Sequence, residues 1–89
     1  MSMGYRVTVA GAELGSGVAS TVEDVCTAVT AALRGTYGES DPEVLAGVLT
    51  RSWGPLRHSV LTDGATAMAQ GEREWTSSGA HLAVTLWSL

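Results

Sequence analysis

The chain has no lysine, no asparagine, no isoleucine and no phenylalanine, and a single cysteine among its 89 residues. One thiol cannot build a disulfide framework within the chain, so Cys26 reads as a small buried hydrophobe. The absence of lysine excludes a Walker phosphate loop, which needs a Gly-Lys-Ser/Thr end. All five basic residues are arginines, scattered at Arg6, Arg34, Arg51, Arg57 and Arg73, against nine acids and a net charge of −4. A nucleic-acid groove binder needs a basic stripe, and none is present. The acids form no dense run either, so the chain is a poor mimic of a phosphate backbone. No apolar stretch approaches the roughly 20 residues that a bilayer requires. The missing residue types have AT-rich codons, which points to a GC-rich bacterial genome or a phage of such a host. Met1-Ser2-Met3-Gly4 is not a basic region leading into an apolar run, so no secretory signal is read and a cytoplasmic protein is expected.

What is present is 45% apolar residues, with three Trp and two Tyr. That content excludes a disordered chain and fits one domain over residues 1–89. The apolar set is mostly Ala, Val and Leu, so the core should be thin and its stability on the order of 5 kcal/mol, which dimerisation would help. Tyr5, Val7 and Val9 alternate with Arg6 and Thr8, as in a half-buried strand. Gly11 begins a turn, and 14–19 reads as the returning strand, weakened by Gly15 and Gly17. Ser20 and Glu23 have capping-box spacing, and Val22, Val25, Cys26, Val29, Ala32 and Leu33 make one helical stripe that stops at Gly35. A second helix opens at Ser40-Asp41-Pro42-Glu43, with Val44, Leu45, Val48, Leu49 and Trp53 inward, and breaks at Gly54-Pro55. A short third helix covers 55–62, with Gly64 as its stop.

The segment 65–76 reads as helix or strand. The strand reading sorts Ala65, Ala67, Ala69 and Trp75 from Thr66, Met68, Glu72 and Glu74, and it is the one adopted. Ser77-Ser78-Gly79 then turns the chain into a last strand over 80–88. The expectation is an α+β domain of two layers. A four-stranded antiparallel sheet carries the helices on one face, in the order ββααα then ββ.

Few residues suggest chemistry. His58, His81 and Cys26 show no metal-ligand spacing, and no serine sits in a G-x-S-x-G elbow. The segment Gly11 to Gly17 lacks the third glycine of a dinucleotide loop, and Glu13 would repel a phosphate, so it reads as a hairpin turn. Glu72 and Glu74 share a strand face, as solubilising residues do on an exposed strand. Arg51, Arg57 and His58 meet near the second helix junction, where a small anion could bind. Arg57 falls on the apolar arc of its helix, so it must snorkel or pair with an acid.

No enzyme, cofactor or metal site is expected. The uncharged run Leu82 to Trp87, with Met68, His81, Ala83, Thr85 and Trp87 on the side turned away from the helices, suggests a contact surface. The leading expectation is therefore a non-catalytic protein-interaction module that forms a homodimer through its C-terminal hairpin. It would regulate or inhibit another protein, as a phage anti-defence protein does. Two alternatives stand beside it: a nucleic-acid-binding regulator using the helix pair 21–34 and 41–53, and a small-anion or enzyme subunit using Arg51, Arg57 and His58.

Overall fold

The computed structural model describes residues 2–38, 42–79 and 81–89. Strands β1 (Met3–Val9) and β2 (Ala12–Ala19) form the first hairpin, and β3 (Glu74–Gly79) and β4 (Leu82–Ser88) the second. All pairings are antiparallel and the sheet order is β2-β1-β4-β3. Helix α1 (Val22–Tyr37) and a helical run over residues 42–69 cover one face, giving the expected α+β fold.

The first hairpin closes through Ala10 and Gly11, both at positive φ (51° and 83°). A two-residue loop with both φ positive matches the twist of the strands it joins. Between Val7 and Thr8 the register of β2 shifts, leaving Leu14 as the extra residue of a bulge. Helix α1 is capped by Thr21, whose hydroxyl accepts from the Asp24 amide at 3.1 Å, so the cap lies one residue beyond Ser20. The helix passes through Gly35 and ends at Tyr37, whose ring packs on the core. Gly35 is thus no stop, because burying Tyr37 rewards another half turn.

The second and third helices are not separate. Segments α2 (Pro42–Gly47), a π-helical stretch Val48–Trp53, α3 (Gly54–Ser59), a second π-helical stretch Val60–Gly64 and α4 (Ala65–Ala69) follow one another without a gap. The capping residues Ser40 and Asp41 lie outside the described residues. Gly54-Pro55 does not break the run: Gly54 keeps helical dihedrals, and Pro55 lies at the junction where the π-helical stretch passes into α3.

The run also continues past Gly64, so residues 65–69 are helix and not strand. Gly64 is where this helix meets the sheet: a Cβ there would lie 3.1 Å from the Trp75 ring and 3.2 Å from Leu86. The true stop is Gly71, at φ 77°. Its amide donates to the Met68 carbonyl (3.1 Å) and that of Glu72 to Ala67 (3.1 Å), the two bonds of a Schellman cap. The sequence reading of a long strand over 65–76 holds for 74–76 and fails over 65–69, because Ala65, Ala67 and Ala69 are strong helix formers joined to a helix already nucleated.

The core lies between the layers. Val7, Leu82, Val84 and Leu86 come from the sheet, Val22, Val25, Cys26, Val29 and Leu33 from α1, and Trp53, Leu56 and Val60 from the helical run. The indole N–H of Trp53 donates to the Thr30 hydroxyl at 2.9 Å, and Arg57 lies close enough to Cys26 to act on its thiol electrostatically. Those two juxtapositions, with α2 against the far end of α1, make the helices an antiparallel hairpin. Among the described residues no helix is long and apolar enough to cross a membrane.

Candidate interaction surfaces

The second hairpin is placed differently from its sequence reading, and the difference decides which part of it is free. β4 is a central strand, hydrogen-bonded to β1 and to β3 along its length. Its lack of charge belongs to that central position, and β4 has no open edge. The strand with one open edge is β3. Its pairing with β4 runs in unbroken register from Glu74 to Gly79, and residues 75–79 carry no charge. The opposite edge, β2, is interrupted by the bulge at Leu14 and bears Glu13 and two glycines. Bulges and charges blunt an edge, so β2 is protected in a way that β3 is not. Beside β3 a cleft of about 240 Å³ runs along Ser77–Gly79, lined from the helical run by Arg51, Ser52, Pro55, Leu56 and Ser59.

The face of the sheet away from the helices carries three cross-strand rows. Val18, Gly4, Trp87 and Glu74 form the first, Ser16, Arg6, Thr85 and Thr76 the second, and Glu13, Thr8, Ala83 and Ser78 the third. Of the residues expected there, Ala83, Thr85 and Trp87 are present and partly buried. Met68 and His81 are not. Met68 is on α4, packed against the core, because 65–69 is helical. His81 is exposed in the turn before β4 and borders a cleft on the helix side with Tyr37 and Val48.

Trp87 does not stand free. Its indole lies across Gly4, where a Cβ would occupy the space of the ring, and the Arg6 guanidinium sits 5.8 Å from the ring centroid. Arg6 also pairs with Glu13 (Nε to Oε1 3.2 Å), and Thr76 and Thr85 share a hydroxyl hydrogen bond of 3.0 Å. Val18, 65% exposed, extends the Trp87 row toward β2. The result is a hydroxyl-rich face with one apolar band at its end.

Arg51, Arg57 and His58 do not form one corner. Arg51 faces the cleft beside β3, and Arg57 faces α1 across a different cleft. His58 is exposed. The expected acid partner of Arg57 is not found among the described residues, where the ion pair present is Arg6–Glu13. The cleft of Arg57 holds a second arginine, Arg34, which the sequence reading counted only among the scattered basic residues. The signal was available, since Cys26, Thr30 and Arg34 recur every fourth residue on one stripe of α1. Burial pushes the Cys26 thiol above its ordinary pKa; nearby Arg57 opposes that and Glu23 adds to it. Among the described residues no group of three or more His, Cys, Asp or Glu side chains is arranged to hold a metal ion.

Protein-family models, curated proteins and solved structures yield no match to this chain.

Proposed function

We infer that this protein is a non-catalytic interaction module that self-associates through its C-terminal hairpin and regulates another protein. The observation that carries the reading is the edge of β3: in unbroken register and uncharged beyond Glu74. A second copy adding its own β3 antiparallel, about a two-fold axis, would join two four-stranded sheets into one of eight. Each unpaired N–H and C=O of the edge would gain a partner. The joined sheet would set the two hydroxyl-rich faces side by side, with both Trp87 bands available to the regulated protein.

Light scattering tests this directly. Wild type should show twice the 9.2 kDa protomer mass. Ser78→Lys places a cation on each exposed edge and should give the monomer, while Ser16→Lys on β2 should leave the dimer intact. A wild-type monomer at high micromolar concentration overturns the reading. So does a dimer indifferent to Ser78→Lys.

A further inference from the structure

We propose that the cleft between α1 and α3 binds a dianionic phosphoryl group, held between Arg34 and Arg57. The cleft has a volume of about 340 Å³, and its lining includes Cys26, Thr27, Thr30 and Ala31 besides the two arginines. That volume lies within the range of ligand sites.

The charge arrangement argues for an anion. Arg34 and Arg57, on adjacent helices, both line the cleft, and neither has an acidic partner among the described residues. Both side chains are exposed, so their charges stay available to a ligand from solution. This chain has nine acids and five arginines, so partners were plentiful. Glu23, which acts electrostatically on the Cys26 thiol, pairs with neither arginine. One carboxylate would balance one of the two cations. A phosphoryl dianion balances both and accepts the forked donors of each. The threonines do not compete for that role. The Thr27 hydroxyl donates to the Glu23 carbonyl at 3.0 Å, and that of Thr30 donates to the Cys26 carbonyl at 2.9 Å. The arginines therefore supply the donors. The site is independent of β3 and of self-association.

Amide chemical shifts followed during titration with inorganic phosphate, at constant ionic strength, test the proposal. Saturable shifts are expected in residues 27–34 and 54–57. Arg34→Gln and Arg57→Gln should each weaken binding about tenfold or more, the loss of one charge-assisted pair. Arg51→Gln, beside the other cleft, should change nothing, and acetate should bind more weakly than phosphate. All three arginines are exposed, so the variants should fold, as far-UV circular dichroism will report. Shifts that do not saturate, or equal affinity in wild type, Arg34→Gln and Arg57→Gln, overturn the assignment. So does acetate binding as tightly as phosphate. A phosphoserine peptide, with its unphosphorylated form as control, separates the two sources of such a group. Tighter binding than inorganic phosphate identifies a phosphorylated protein partner, and weaker binding a free small molecule.

Discussion

The bond from the Trp53 indole to Thr30 ties the helical run to α1 inside the core, and it sets the residue-scale expectations. Thr30→Val removes the acceptor and leaves a buried N–H without a partner, which should cost about 1–3 kcal/mol in urea unfolding. Thr27→Val, three residues earlier on α1 at an exposed position, should stay within about 0.5 kcal/mol. Ala10 holds a left-handed conformation that β-carbons disfavour, fixed by its amide donating to the His81 carbonyl at 2.8 Å. Asparagine tolerates that region better, so Ala10→Asn should raise stability by about 0.5 kcal/mol. Cys26 gives the fold a pH dependence of definite sign. Its folded-state pKa is raised from 9.0, chiefly by burial, so the thiol favours the folded state only while protonated. The contribution is complete below the unfolded pKa and is lost as pH rises through the folded one. Wild type should therefore lose stability above about pH 9 more steeply than Cys26→Ala, read by denaturant midpoints across the alkaline range.

Among the elements, the helical run over 42–69 shows how buried spacing selects local geometry. Leu45, Leu49 and Trp53 are four residues apart, as are Leu56, Val60 and Gly64. In an α-helix each four-residue step drifts about 40° around the axis, so such a series would leave the core. A π-turn is wider and takes up the drift. The two π-helical stretches cover Leu49 to Trp53 and Val60 to Gly64, two of those steps. Glycines in this run should respond with opposite signs. Gly47 faces open space, so Gly47→Ala should gain about 0.5–1 kcal/mol from helix propensity. Gly64→Val should lose about 1–3 kcal/mol, because Trp75 and Leu86 leave no room.

The same run marks what the sequence made legible. Alternation in 5–9 and the stripe of α1 were readable because one face of each is buried and the other solvated. The layer order and the antiparallel sheet followed from them. Gly35, Gly54-Pro55 and Gly64 were read as stops by local chemistry, yet tertiary contacts carried the helices through all three. That error put Met68 on the wrong side of the sheet. The pairing of Arg57 with Arg34 was hidden for a related reason: it depends on the two helices lying antiparallel, which no local pattern encodes. The strand order was equally nonlocal. The uncharged run in β4 fits an edge that recruits another chain as well as a centre, and only the pairing with β1 decides between them.

For the whole molecule, the two sheet edges are unequal, and the functional reading rests on that inequality. The helices occupy one face and β4 is enclosed, so strand addition is left to β2 or β3. The bulge and Glu13 disfavour β2, whereas β3 has no bulge among the described residues and bears its one charge, Glu74, at its start. Hydrogen exchange of backbone amides at low and high protein concentration probes the two edges within one sample. Self-association through β3 predicts that its outward-pointing amides slow as concentration rises, while those of β2 keep their rates. Equal exchange at both edges, unchanged across the concentration range, would contradict the account.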